Sequence, residues 1–150
     1  MDARYIKILV KNMDCHNGGF AEFAELRAKT ADGANVALNK TAIYSSQYGV
    51  GWYAPYILDG NTGTAWASSG AYMNEYAGVD LGNVYDITAV EVVTESSWNN
   101  VLTAYDILIS TDGINYSTVK SYSGLPVVWG RLDITPFEPS ATFQCYMGGM

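Results

Sequence analysis

Asp59, Asn61 and Thr64 place three oxygen-bearing side chains within six residues, in the run Ile57-Leu58-Asp59-Gly60-Asn61-Thr62-Gly63-Thr64. Gly60 and Gly63 allow the backbone to curl there, so that carbonyl groups can point inward. Calcium takes about six to eight oxygens from carboxylates, hydroxyls and carbonyls, so the loop is a candidate site for that cation. A metal-free Asx-rich turn, held by its own hydrogen bonds, would use the same residue types.

A second chemistry is offered by loops that mix aromatic and amide side chains. Tyr48, Trp52 and Tyr53 fall in the segment 44–53, Tyr72 in 69–74, and Trp98, Asn99 and Asn100 in 95–100. His16 and Phe20 fall in Asp14-Cys15-His16-Asn17-Gly18-Gly19-Phe20. Sugar rings present flat C–H faces to aromatics and hydroxyls to amides and carboxylates, which is the composition of a small-ligand site. Each aromatic could equally be a packing residue. Trp52 and Trp98 stand out because both lie in polar surroundings.

Catalytic patterns are missing from the sequence. It has no G-x-S-x-G, H-E-x-x-H, P-loop or G-x-G-x-x-G. His16 is the single histidine and adjoins Cys15, a spacing that does not by itself make a nucleophile–base pair. No enzymatic activity is expected. The 15 Asp and Glu against 8 Lys and Arg give a net charge of −7. That disfavours nucleic acid and anionic lipid as partners, since both call for clustered basic residues. No apolar run approaches the ~20 residues of a spanning helix. Met1-Asp2-Ala3-Arg4-Tyr5 does not read as a signal peptide. Cys15 and Cys145 could pair or stay free.

The elements that must carry these loops are strands. With 150 residues the chain suits one domain, and 49% hydrophobic residues suffice for a core. The 12 Tyr among them favour strands as much as ligand contact. Only Gly19–Lys29 admits a helical reading, and its neighbours favour strand. Alternation and turn signals predict strands over Arg4–Lys11, Phe20–Ala28, Glu75–Asp80, Ile87–Glu95, Tyr105–Ser110, Tyr116–Ser121, Val128–Ile134 and Thr142–Met147. Asp112-Gly113 supplies the tight hairpin between two of them. Many short strands with regular turns predict an all-β sandwich or barrel.

Several motifs then resemble one family. They are Asn35-Val36-Ala37-Leu38-Asn39-Lys40, Asp59-Gly60-Asn61 with Thr64, Trp66 and Ser68, Val79-Asp80-Leu81-Gly82 with Ile87, and Tyr105-Asp106-Ile107 with Ser110-Thr111-Asp112-Gly113. In this order they resemble the coagulation factor V/VIII type C (discoidin) domains and their microbial relatives, the family 32 carbohydrate-binding modules. The resemblance implies an eight-stranded β-sandwich jelly roll of the galactose-binding-domain-like fold. It implies a non-catalytic, lectin-like domain, extracellular or cell-surface, that binds a glycan or polysaccharide through its loops. A protein-binding adhesion domain and a ligand-free spacer of a tandem array are the alternatives. The implied structural calcium would be held by Asp59, Thr64, the carbonyls of Ile57 and Asn61, and Glu25 with the Ala24 carbonyl, Glu22 being a substitute carboxylate. Phe20 matches the position of a sugar-stacking aromatic. Trp66 matches a core position. Ala67 stands where galactose-binding members often carry His.

The order is shifted relative to that family. Ala3-Arg4-Tyr5-Ile6-Lys7-Ile8 and Phe23–Ala28 resemble closing strands, yet they precede the opening motif. Residues 1–28 are therefore expected to supply the closing strands of a body spanning 35–138, in circularly permuted order. Alternatively they belong to a preceding copy. Residues 139–150 would then be redundant, frayed or exchanged with a second copy, which makes a homo-oligomer an expectation.

Overall fold

The computed structural model describes residues 1–140. Ten strands fill them: β1 (Asp2–Asp14), β2 (Phe20–Phe23), β3 (Glu25–Lys29), β4 (Thr41–Tyr44), β5 (Trp66–Ala71), β6 (Tyr76–Asp86), β7 (Ala89–Val93), β8 (Val101–Ser110), β9 (Ser117–Tyr122) and β10 (Leu132–Pro136). A short 3-10 helix, Ala54–Leu58, is the one helical element among the described residues. The long sheet has the order β4-β6-β1-β8-β9. The other layer is built from a three-stranded sheet, β10-β7-β3, and a two-stranded sheet, β2-β5. All pairs are antiparallel. The expected all-β sandwich is the observed fold.

β1 forms because its apolar residues alternate, with irregularities near each end that keep the alternation facing the core. Ala3 is buried. A bulge between Ala3 and Tyr5 shifts the phase, after which Ile6, Ile8 and Val10 point inward, and two further shifts on either side of Asn12 bring Met13 in. These side chains meet Phe23, Leu26, Trp66, Val90, Val92, Leu102, Tyr105 and Ile107 in one core cluster. At β6 the backbone comes so close to β1 that a side chain at Gly78 would collide with the Ile6 carbonyl and lie 2.9 Å from the Lys7 Cα.

The strand count corrects the expected eight, and the reasons are local. Phe20–Ala28 is not one strand: it bends at Ala24, so that β2 pairs with β5 and β3 with β7. Leu81-Gly82-Asn83 does not end a strand, because Gly82 at φ +83° is accommodated within β6. β4 and β5 are short strands inside what reads as motif and loop sequence. Val128 and Trp129 lie before β10 rather than in it. Thr142–Met147 and Cys145 lie outside the described residues, as does the proposed strand exchange.

The first and last described residues are neighbours. The Met1 amine sits 2.5 Å from Asp86 Oδ1 and 3.0 Å from the Glu138 carbonyl, and Ser140 Oγ is 2.6 Å from Asp2 Oδ1.

Candidate functional site

Three loops meet at an open pocket of about 120 Å³, lined by Asn17, Phe20, Glu22, Tyr48, Trp52, Ala67 and Asn99. Phe20 begins β2, whose pairing of Glu22 with Ala67 sets the pocket beside β5. Tyr48 and Trp52 flank a tight turn closed by a Trp52 N–H bond to the Gly49 carbonyl, 3.1 Å. Gly49 and Gly51 adopt φ +84° and +89° there, which L side chains resist. The turn is anchored on β5 by Tyr48 N–H to the Ala67 carbonyl at 2.8 Å. Phe20 and Tyr48 meet edge to face, with centroids 5.3 Å apart. The walls are thus aromatic.

The floor is polar. Glu22 is 3% exposed; its Oε1 accepts a bond from Asn100 Nδ2 at 3.3 Å, and its Oε2 has no partner. Burial pushes its pKa up to about 8; the Glu95 charge adds to this, and hydrogen bonding from Asn100 opposes it. Asn17 Nδ2 donates to Asn99 Oδ1 at 3.0 Å across the rim.

The other expected ligand residues lie elsewhere. Asn100 is fully buried and holds the 16–20 loop: Oδ1 accepts the N–H groups of His16 and Asn17 at 2.7 and 2.9 Å, and Nδ2, with two hydrogens to share, lies 3.2 Å from the carbonyls of Asn17, Gly18 and Phe20. Its side chain positions the loop and is absent from the pocket lining. Tyr72 bonds Asn12 and packs on the core. Tyr53 packs edge to face on Tyr56, away from the pocket lining. His16 and Trp98 stand outside the lining too, joined through Trp129. Trp66, as expected, is core, its Nε1 bonded to the Ser46 carbonyl. Sequence reasoning missed Glu22 as a pocket residue because strand position and charge suggested only a metal ligand. It missed Trp129 because Val128–Ile134 reads as a strand.

The Asp59 loop is built as a self-bonded turn. Asp59 Oδ1 accepts the Asn61 N–H at 2.8 Å, and Oδ2 accepts the Thr64 hydroxyl at 2.6 Å. That hydroxyl also lies 3.0 Å from the Asn61 carbonyl, and Gly63 N–H caps Asn61 Oδ1. Beneath it lies Glu25, fully buried, with neither carboxylate oxygen hydrogen-bonded. Its pKa is pushed up to about 8, first by burial and then by the Asp59 carboxyl. Ala24 and Ile57 are also fully buried. A buried orphan carboxyl against a second carboxyl is the arrangement that a cation would satisfy. No three His, Cys, Asp or Glu converge among the described residues, so carbonyl and hydroxyl oxygens would have to complete the shell, which suits a hard cation.

A β-sandwich with an aromatic, polar-floored pocket in its loops defines a small binding domain. A family model for the F5/8 type C domain matches residues 41–140, two thirds of the chain, and the chain belongs to that family. Domains of this kind are generally non-catalytic, bind carbohydrates or proteins, and are typically extracellular. No helix among the described residues is long and apolar enough to cross a membrane. No curated protein and no solved structure matches the chain.

Proposed function

We propose that the chain is a non-catalytic glycan-binding module of an extracellular or cell-surface protein, and that the pocket between Phe20, Tyr48 and Trp52 takes a sugar ring. The observation carrying this reading is the pairing of three aromatic walls with a buried, half-partnered carboxyl, Glu22, and two rim amides, Asn17 and Asn99. Aromatic faces would take the C–H face of a pyranose, and the polar floor would fix its hydroxyls. Lys and Arg are not among the lining residues, and Glu22 and Glu95 are close together, so the favoured ligand is neutral. Ala67 on the wall leaves out the imidazole associated with galactose recognition. Calorimetry following a glycan-array screen tests the reading. Binding should be lost with Trp52→Ala and Phe20→Ala while the fold is retained. A folded wild-type chain that binds no glycan would instead favour a protein-binding or spacer role.

The same reading includes a structural calcium held by Glu25, Asp59 and Thr64 with the carbonyls of Ala24, Ile57 and Asn61. Its support is the orphaned Glu25 carboxyl. The reading also takes the chain as circularly permuted. The family match begins at Thr41, yet β1 lies between β6 and β8, and Met1 adjoins the segment around Glu138.

A further inference from the structure

Outside the pocket, three aromatic rings form a row. Trp98 and Trp129 have centroids 5.1 Å apart, and Trp129 and His16 likewise 5.1 Å. Trp98 is 77% exposed and its backbone sits at φ +69°, a conformation costly for a large side chain. The fold gains neither burial nor a relaxed backbone from tryptophan at that position. The row is continuous with the pocket through two pairs of sequence neighbours. In His16-Asn17 and Trp98-Asn99 the amide lines the pocket and the ring belongs to the row. Trp129 Nε1 donates to the Asn99 carbonyl at 2.9 Å, which ties the row to the rim. The carboxylates set among these loops are Asp14, which bonds His16, and Glu95, which accepts the N–H groups of Ser97 and Asn99; the nearby cation in the Trp129 loop, Arg131, is paired with Asp133.

We propose that the Trp98–Trp129–His16 row is a second sugar subsite, so that the ligand is a neutral oligosaccharide with one residue in the pocket and the next on the row. This rests on the pocket reading above. Its occupant is set by continuity with the pocket and by acidic surroundings that repel anionic glycans and anionic lipid. Apolar C–H faces on tilted indole rings would supply affinity, and the shared amides would set the direction of the chain.

The experiment is calorimetry on the full chain, first with the neutral mono- to hexasaccharides of a printed array, then with the matched monosaccharide of each hit. A Trp98→Gly variant suits the left-handed backbone and should keep the fold. The wild type should bind the oligosaccharide at least about tenfold more tightly than its terminal monosaccharide. Trp98→Gly should remove that gain and leave the monosaccharide affinity in place. Equal affinity for both lengths, abolished together by Trp52→Ala, would overturn the second subsite and leave the pocket standing. Equal weakening of both lengths by Trp98→Gly would also overturn it, because the row would then be part of one pocket. Absence of any glycan binding overturns both readings. Binding to phosphatidylserine vesicles that Trp98→Gly abolishes would assign the row to lipid instead.

Discussion

Glu25 faces Asp59 beneath the Ile57–Thr64 loop, fully buried, and its two carboxylate oxygens have no hydrogen-bond partner. Asp59 is served by Asn61 and Thr64, whereas the nearest cationic group to Glu25 is the Arg27 guanidinium at 4.0 Å. The relationship joins the N-terminal strands to a loop of the family-matched region.

Calcium should therefore raise the thermal midpoint of the chain. At a hundredfold excess over Kd the linkage amounts to about 2.7 kcal/mol. Glu25→Gln should remove most of this increment and leave the metal-free midpoint equal or higher, since a buried acid next to a second acid is replaced by a neutral isostere. Scanning calorimetry with calcium or with chelator measures it. An increment that survives in Glu25→Ala would show that the cation, if bound, is held elsewhere.

Glu22 and Glu25 give the metal-free chain an unusual pH dependence. Both are pushed up to about 8 from an ordinary 4.5. Between those values the folded chain holds protons that the unfolded chain has released. Their contribution is therefore fully present below about pH 4.5 and is lost as pH rises toward 8. Asp32, Asp80, Asp86 and Asp112, all lowered from 3.8, lose their contributions only in stronger acid. Urea midpoints in chelator should fall from pH 5 to pH 8, and the Glu22→Gln, Glu25→Gln double variant should flatten the trend. A wild-type midpoint that climbs over this range would contradict the assignment.

How far the sequence was legible follows from which signals are local. The alternation of Ile6, Ile8 and Val10 marked β1, and Asp112-Gly113 marked the β8–β9 hairpin, because those signals lie within a few residues. The bend at Ala24 was not legible, since it arises from β2 and β3 pairing with different partners, β5 and β7. In the pocket Phe20, Tyr48, Trp52 and Asn99 could be named from residue type. Asn100 could not be told apart from Asn99, although one is fully buried and the other lines the pocket. Only the loop's three-dimensional path separates them.

Asn100→Ala should damage pocket and stability together. Its amide oxygen serves the N–H groups of His16 and Asn17, and its two N–H hydrogens are shared among the surrounding carbonyls of the 16–20 loop, partners lost on truncation. A lost buried partner costs about 1–3 kcal/mol, so a total of about 3 kcal/mol is expected. Urea unfolding checks the stability, and calorimetry with an array-selected glycan checks the pocket. Asn99→Ala, at the rim, should weaken binding with a stability change within about 0.5 kcal/mol. If the two variants behaved alike, the division between positioning and contact would fail.

The N-terminal strand offers the sharpest test of the fold's order. β1 occupies the centre of the long sheet, paired with β6 on one side and β8 on the other, and it contributes Ile6, Ile8 and Val10 to the core. A fragment of residues 30–150 contains the whole family match, yet it would expose the edges of β6 and β8 and the core face between them. It should fail to give a cooperative unfolding transition, and a peptide of residues 1–29 added in trans should restore one. Gly78→Ala provides a point test of the same contact. The added methyl meets the Ile6 backbone, which cannot rotate away as a side chain would, so a loss of about 3 kcal/mol is expected. Near-wild-type stability of either the fragment or the Gly78→Ala chain would mean that β1 is not the strand that completes this sheet.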